Sequence, residues 1–125
     1  MFGLSEQHRY FLYDGIADMR KGFDGLSGIV INKMKGNPTD GSVYIFINRR
    51  RDRMKLLVWE SNGFMMYYKR LEIGTFEFPR TADDKHYRTI KWETLMLMIS
   101  GISMKQIHRR KRFSDKGSRV YNKSA

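Results

Sequence analysis

The dipeptide Asn62-Gly63 constrains the fold of this chain more than any other feature of its sequence. Both residues tolerate the positive φ angles of a two-residue type I′ turn, and strand-forming segments flank them on both sides. Residues opposite one another across such a turn share one face of the hairpin. The predicted pairs are Ser61 with Phe64, Trp59 with Met66, Leu57 with Tyr68, and Lys55 with Arg70. The sequence therefore predicts a β-hairpin that is apolar near its tip and basic at its open end.

A cluster of arginines occupies the open end of this predicted hairpin, where four of the five residues from 49 to 53 are arginine. Guanidinium groups pair with phosphate oxygens in a bidentate manner, and a rigid turn lowers the cost of ordering them. Three cations on the adjoining strands extend the patch. The alternative is a solvated turn whose charges only prevent aggregation. The candidate nucleic-acid-binding residues of this patch are Arg49, Arg50, Arg51, Arg53, Lys55, Lys69 and Arg70.

The net charge favours a polyanionic partner. The chain has 24 Lys and Arg residues against 13 Asp and Glu residues, which gives a formal charge of +11 and a pI of about 10.1. Proteins that bind DNA, RNA, ribosomes or anionic membranes carry such a charge. A length of 125 residues with 41% hydrophobic content predicts one globular domain with a sizeable core.

Cysteine is absent from the sequence, which excludes disulfides and thiolate metal sites. The first ten residues lack the basic and apolar regions of a signal peptide, and no apolar run approaches the length of a membrane span. We therefore expect a cytoplasmic protein without a membrane partner.

The remaining patterns predict an α+β fold. Asp18 is the expected N-cap of a first helix, because Met19, Phe23, Leu26 and Val30 follow at helical spacing. We predict strands at residues 9–13, 43–47, 54–59, 64–70 and 75–78, a loop at 80–90, and a second helix at 92–100. The predicted architecture is an antiparallel sheet of about five strands with two helices packed on one face, in the order β-α-β-β-β-β-α.

The composition changes after residue 103. Residues 1–103 form the predicted domain, and residues 104–125 form a basic C-terminal tail. The tail adds Arg109, Arg110, Lys111 and Arg112 to the candidate nucleic-acid-binding residues. Such an arm is equally typical of a solubilising end.

Two further groups of residues have two interpretations each. Arg20 and Lys21, near the start of the first helix, either join the cationic patch or are ordinary surface residues. Aromatic residues alternate with basic ones along the strands, which suits either stacking on nucleobases or packing on the sheet. These aromatic residues are Tyr44, Trp59, Tyr67 and Tyr68.

The sequence offers no pattern typical of catalysis. His8, His86 and His108 lie far apart, so they form no metal-ligand motif. Asp18, Asp24 and Glu60 are a possible divalent-ion triple, but a chain with 13 acidic residues offers many such triples. A glycine-rich phosphate loop and a nucleophile elbow are also missing. We predict no enzyme, no cofactor and no metal.

Several segments closely resemble TnpB, the small accessory protein encoded beside the transposase in insertion sequences of the sixty-six class. The resemblance extends from about Arg9 to Ser103. Its most specific motifs are DMRKGFDGL at residues 18–26 and YKRLE at residues 68–72. Further matching residues are Phe46, those at 48–57, 59–64 and 100–102. Two features depart from the family pattern: Lys91 replaces a helix-capping hydroxyl residue, and the basic extension after Met104 is longer.

The resemblance implies a bacterial mobile-element protein that is required for transposition and has no assigned catalytic residues. A chain of this length is too short for the RNA-guided nuclease of the same name. Our leading hypothesis is an accessory factor that binds element DNA through the basic hairpin loop while the transposase cleaves. The alternative is a module that docks the transposase through Trp59, Met66 and Tyr68 without contacting DNA. The sequence leaves DNA and RNA open as ligands.

Overall fold

A computed structural model describes residues 3–77 and 86–101. In this part of the chain the elements follow the predicted order β-α-β-β-β-β-α. They are β1 (Tyr10–Tyr13), α1 (Phe23–Asn32), β2 (Val43–Ile47), β3 (Arg53–Glu60), β4 (Gly63–Arg70), β5 (Tyr87–Ile90) and α2 (Trp92–Ser100). The predicted α+β class, the number of strands and the two helices are confirmed.

The sheet has the strand order β4-β3-β2-β1-β5. Three of its strand pairs are antiparallel, but β1 and β2 are parallel, with Tyr10 opposite Val43. The prediction of a purely antiparallel sheet was therefore wrong at this pair. Parallel neighbours need a crossover connection of a dozen or more residues, and the connection through α1 is long enough to provide it.

The two helices lie on opposite faces of the sheet, so the prediction of both helices on one face was wrong. Leu26 and Val30 of α1 pack in a cluster with Tyr44, Phe46 and Leu57. The residues of α2 pack in a separate cluster on the other face, with members that include Val43, Ile45, Leu56, Val58, Leu95 and Met98. Every residue of β2 is buried, because the helices cover both faces of this central strand.

The β3–β4 hairpin forms, but its turn lies one residue earlier than predicted. Ser61 and Asn62 have φ angles of 53° and 65°, so they are the two central residues of the turn. Trp59 therefore pairs with Phe64, and their rings meet edge-on with centroids 4.9 Å apart. This aromatic contact is absent from the predicted pairing and favours the observed one.

The corrected register keeps the predicted faces. Leu57 lies opposite Met66, Lys55 opposite Tyr68, and Arg53 opposite Arg70. Each residue of β3 has exchanged its predicted partner for one two positions earlier in β4. Side chains alternate along a strand, so a change of two positions leaves each side chain on the same face.

The fifth strand is not where the sequence placed it. Residues 75–77 are irregular, and residue 78 lies outside the described residues. The strand forms instead at Tyr87–Ile90, inside the predicted 80–90 loop, and pairs antiparallel with β1. Phe76 explains the apolar signal of the earlier segment, because its side chain is fully buried in the core on the α2 face.

The helix boundaries match the predictions at α2 but not at the start of α1. Gly22, and not Asp18, is the N-cap of α1. Asp18 accepts a hydrogen bond from the backbone N–H of Arg20 at 2.9 Å, and so closes a turn that precedes the helix. α2 ends at Gly101 with φ 78°, as predicted, and Lys91 makes no side-chain capping hydrogen bond within the described residues.

Within residues 3–77 and 86–101, neither helix is long or apolar enough to cross a membrane.

Candidate nucleic-acid interface

One end of the sheet brings the basic residues together. β1 and β2 are parallel, so their C-terminal ends lie side by side. The arginine loop (residues 48–53) follows β2, and the β1–α1 connector (residues 14–22) follows β1. The beginning of β5 and the end of β4 reach the same end, because these strands run antiparallel to their neighbours. This end of the sheet is the candidate interface.

The side chain of Asn48 holds the arginine loop closed. Its Oδ1 accepts hydrogen bonds from the backbone N–H groups of Asp52 at 3.1 Å and Arg53 at 3.0 Å. Its Nδ2 donates to Oδ1 of Asp52 at 2.7 Å, and its carbonyl oxygen accepts from the N–H of Arg51 at 3.0 Å. One asparagine thus supplies the local bonds that a turn needs.

A second segment fastens the loop from outside. The N–H of Leu71 donates to the carbonyl of Asp52 at 2.7 Å, and that of Phe76 donates to the carbonyl of Arg51 at 2.6 Å. Phe76 is buried in the core, so its backbone position is fixed. Arg51 has a φ angle of 58°, a conformation that these bonds sustain. The backbone of the arginine loop is therefore a rigid platform.

The four arginines on this platform differ in exposure. Arg49 and Arg50 are exposed, whereas Arg51 and Arg53 are half-buried. Arg53 donates from Nη1 to the hydroxyl of Tyr68 at 3.2 Å. Among the described residues, no carboxylate lies within 4 Å of the side-chain nitrogens of these four arginines.

The carboxylates at this end of the sheet bind other partners. Their nearest partners are Arg88 for Asp14 at 2.8 Å, Arg20 for Asp18 at 2.8 Å, Arg70 for Glu72 at 2.7 Å, and the Asn48 side chain for Asp52 at 2.7 Å. The hydrogen bond from Arg20 lowers the pKa of Asp18 to about 2. The bond from Asn48 likewise lowers the pKa of Asp52 below its ordinary value. Each of the four carboxylates is therefore already engaged.

The three strand cations predicted for the patch have internal partners. Lys55 is only 7% exposed, and its Nζ donates to the carbonyls of Met19 and Lys21, each at 2.8 Å. Lys69 donates to the carbonyl of Ile99 near the end of α2 at 2.7 Å. Arg70 is engaged by Glu72, whose hydrogen bond raises the pKa of Arg70. Burial therefore makes Lys55 unsuitable as a phosphate contact, while Lys69 and Arg70 remain at the surface.

Two clefts flank the arginine loop. The first, of about 410 Å³, lies between the loop and β5, and Arg51 and Arg88 line it. The second, of about 450 Å³, lies on the side of the β1–α1 connector, where Arg50 and Arg53 line it. Arg49 lines both clefts. This end of the sheet therefore offers two neighbouring concave surfaces with guanidinium groups in each.

The aromatic residues that alternate with basic ones are mainly packing groups. Tyr44 is buried, and its hydroxyl donates to the carbonyl of Asn37 at 3.1 Å. Burial, together with the nearby carboxylate of Asp40, raises the pKa of Tyr44 to about 12. Trp59 packs on Phe64, and Tyr67 packs on the core of the α2 face. Tyr68 is half exposed, and it is engaged by Arg53 and Lys55.

The remaining predicted sites are the basic tail and the possible divalent-ion triple. Arg109, Arg110, Lys111 and Arg112 lie outside the described residues, as does the predicted boundary at residue 103. Within residues 3–77 and 86–101, no group of three or more His, Asp or Glu side chains is placed to hold a metal ion. Asp18, Asp24 and Glu60 therefore do not converge on a common site.

Comparison with known proteins places the chain in a family. The model of the family described as "IS66 Orf2 like protein" matches residues 8–109. The chain belongs to the IS66 Orf2-like family. The resemblance drawn from the sequence motifs is thereby confirmed, and membership associates the protein with an accessory role in the transposition of insertion sequences.

Two relatives of this IS66 Orf2-like protein come from Sinorhizobium fredii. The uncharacterised protein y4jC is 27% identical over 110 residues, which cover 88% of this chain and 92% of that protein. The uncharacterised protein y4hO is 34% identical over 71 residues, which cover 57% of this chain and 62% of that protein. No solved structure matches the chain.

Sequence reasoning missed four residues of the candidate interface of the IS66 Orf2-like protein. Asn48 and Asp52 flank the first three arginines, and this pair of turn-forming residues was a usable signal. Arg88 was hidden in the segment predicted to be a loop. Ile16 lines both clefts, but the sequence gives no sign of this because the position depends on the parallel pairing of β1 and β2.

Proposed function

We propose that this IS66 Orf2-like protein assists transposition by binding element DNA through its arginine loop, while a separate transposase performs the cleavage. The observation that supports the proposal most strongly is the contrast in partners: the nearby carboxylates are engaged elsewhere, while Arg49 and Arg50 are exposed and none of the loop arginines has a carboxylate within 4 Å in the described residues. Phosphate groups are the natural ligands of such fixed guanidinium forks.

The hairpin register supports an anionic ligand. Arg53 and Arg70 lie directly opposite one another in the β3–β4 ladder. Like charges in this arrangement destabilise a hairpin, although Glu72 offsets the charge of Arg70 and the Asp52 carboxylate interacts with both arginines. A bound phosphate would add to this compensation at Arg53. The formal charge of +11 adds a long-range attraction to the same class of ligand.

Salt dependence tests the proposal. If about six phosphates are neutralised, the affinity for a duplex of element-end DNA falls roughly a thousandfold between 50 and 200 mM salt. Changing Arg49, Arg50 and Arg53 together to Ala should lower the affinity by at least about a hundredfold and flatten the salt dependence. The fold should persist, because these side chains make few internal contacts.

Two results would contradict DNA binding by the loop. One is an affinity that does not change with salt, and the other is a triple variant that binds as tightly as the parent. Comparing element-end DNA with random DNA and with RNA of the same length identifies the preferred nucleic acid. The tail residues Arg109, Arg110, Lys111 and Arg112 are proposed as secondary contacts, and a variant with all four changed to Gln measures their share.

A second candidate function is docking of the transposase. Phe23 on α1 is 46% exposed and stacks on Phe64 with ring centroids 6.3 Å apart, and Tyr68 on the same face is 50% exposed. Together with Trp59 and Met66, these side chains form an apolar surface beside the hairpin. A stoichiometric complex with purified transposase that forms without DNA, and survives loss of the loop arginines, would favour this function.

A further inference from the structure

Ile16 is an exposed apolar residue in the middle of the basic end of the sheet. Its side chain is 56% exposed, although it lies in the β1–α1 connector between two engaged carboxylates, Asp14 and Asp18. Backbone hydrogen bonds hold the connector on both sides of it. The N–H of Asp14 donates to the carbonyl of His86 at 3.0 Å, and that of Ala17 donates to the carbonyl of Ile47 at 3.0 Å. The connector therefore presents Ile16 at a fixed position.

Ile16 and Arg49 line both clefts together with Asn48, so these residues form the partition, here called the ridge, between the two clefts. Arg51 and Arg88 lie in the cleft on one side of the ridge. Arg50 and Arg53 lie in the cleft on the other side. The interface is therefore a partly apolar ridge with guanidinium groups on each flank.

A polyanion without bases would gain little from this arrangement. Single exposed apolar residues are common on protein surfaces, and Ile31 on α1, which is 53% exposed, is one of them. Ile16 differs in its place, since it lies between two clefts that contain the loop arginines, while Arg88 in the first cleft is already paired with Asp14. A ligand that covers both Ile16 and the arginines beside it must offer an apolar or base-edge surface between two rows of phosphates.

The minor groove of duplex DNA has this arrangement. The groove is about 6 Å wide, and a phosphate strand runs along each side of it. Proteins that bind there combine arginine side chains with apolar wedges such as Ile, Leu or Phe that press against the base steps. A narrow ridge with cationic flanks is complementary to such a groove, whereas a single cationic stripe suits one strand.

From this complementarity we infer that the Ile16–Arg49 ridge enters the minor groove of duplex DNA, with Ile16 against the base edges and one phosphate strand in each cleft. The inference rests on the proposed function, because it specifies how the same interface binds DNA. In this arrangement, Ile16 adds an apolar contribution to the affinity for DNA that does not depend on charge.

The experiment compares Ile16→Ala with Ile31→Ala, two variants with the same chemical change at positions of similar exposure. Affinity for a 25-base-pair duplex is measured by fluorescence anisotropy from 50 to 200 mM salt, and thermal melting verifies that both variants fold. Ile16→Ala should weaken binding about tenfold with an unchanged salt slope, because it removes apolar contact and no charge. Ile31→Ala should bind like the parent. A small-molecule ligand of the minor groove should displace the parent protein.

Each other outcome has a distinct meaning. Equal affinities of the two variants, with a steep salt slope in the parent, would overturn the groove inference and leave phosphate binding by the loop intact. If the minor-groove ligand does not displace the parent protein, the groove inference is likewise overturned and phosphate binding by the loop is left intact. Tighter, Ile16-dependent binding to single-stranded DNA would also overturn it, in favour of contacts to unpaired bases. A parent protein that does not bind the duplex, or binds it without salt dependence, would overturn the proposed function itself.

Discussion

The cations of the arginine loop and those of the adjoining strands differ in what they contact. The strand residues Lys55 and Lys69 donate to backbone carbonyls, and Arg70 pairs with Glu72. Arg49 and Arg50 are exposed and Arg51 and Arg53 are half-buried, and in the described part of the chain all four lie beyond 4 Å from any carboxylate. In the sequence, both groups belong to one basic patch. In the structure, the strand cations stabilise the fold, whereas the loop arginines are left without a carboxylate partner among the described residues.

The difference follows from secondary structure. A strand packed against neighbours directs each side chain to one of two faces, where helix ends and connectors supply carbonyl acceptors. In a turn held by its own asparagine and backbone bonds, Arg49 and Arg50 are left exposed. Position within an element, and not charge alone, therefore indicates which cations are available to a ligand.

The largest expected effect on stability is at Lys55. Replacing it with Met keeps an unbranched side chain, one atom shorter, but removes the charged donor to the carbonyls of Met19 and Lys21. We expect the free energy of unfolding to fall by about 2–3 kcal/mol, since both carbonyl acceptors lose a charged donor whose own side chain is buried. Urea denaturation measures the change, and Lys69→Met is the control, because Lys69 is exposed and makes one such bond.

The same variant sharpens the contrast between the two groups of cations. Lys55→Met should leave the salt slope of DNA binding unchanged, because the buried ammonium contacts no phosphate in our account. A variant with the stability of the parent and a reduced salt slope would indicate that Lys55 contacts phosphate. It would contradict the distinction between the strand cations and the loop arginines.

A smaller effect is expected at Asn48. Asn48→Ala removes the bonds to Asp52 and Arg53 that close the arginine loop, and it should cost about 1–2 kcal/mol of stability. DNA affinity should also fall, by about three- to tenfold, because the arginines must then be ordered on binding. Asn37→Ala is the matched control, since Asn37 closes a turn with Thr39 that lies outside the interface. Equal loss of affinity in both variants would contradict the platform role of Asn48.

The smallest effect concerns acid pH. Hydrogen bonds from Arg20 and Asn48 lower the pKa values of Asp18, to about 2, and of Asp52. Both values lie below the ordinary pKa of an unfolded aspartate, near 4. The stability that these carboxylates contribute is therefore present above about pH 4 and is lost as the pH falls through their lowered pKa values, which for Asp18 is about 2.

Melting temperatures between pH 5 and pH 2.5 measure this contribution. The shift should be small, because both side chains are at the surface and solvent screens the interactions. Asp18→Asn should reduce the pH dependence. A melting temperature that rises on acidification would contradict the assigned direction.

Strong local signals made much of the fold predictable from the sequence. The apolar run at Val43–Ile47, the periodicity of Trp92–Ser100 with its terminal glycine, and the hairpin were each evident locally. The hairpin turn was misplaced by one residue because Ser61, Asn62 and Gly63 offer two overlapping turns, and a contact between Trp59 and Phe64 selects one.

The errors of prediction concern long-range contacts. The parallel pairing of β1 with β2, the strand at Tyr87–Ile90, and the helices on opposite faces all depend on segments far apart in the chain. The arginine loop was predictable because four arginines in a turn are visible in the sequence. The burial of Lys55 was not, because its acceptors belong to a connector 34 and 36 residues away.

The slope of log affinity against log salt, measured for two matched double variants, tests the central claim most directly. One variant is Arg49→Gln with Arg50→Gln, and the other is Lys69→Gln with Arg70→Gln, so each loses two surface charges. Our account predicts that the loop variant loses about 1.8 from the slope, near 0.9 for each phosphate contact, while the strand variant keeps the slope of the parent. Equal losses in the two variants, or an unchanged slope in the loop variant, would contradict the claim that the arginine loop binds the phosphate backbone.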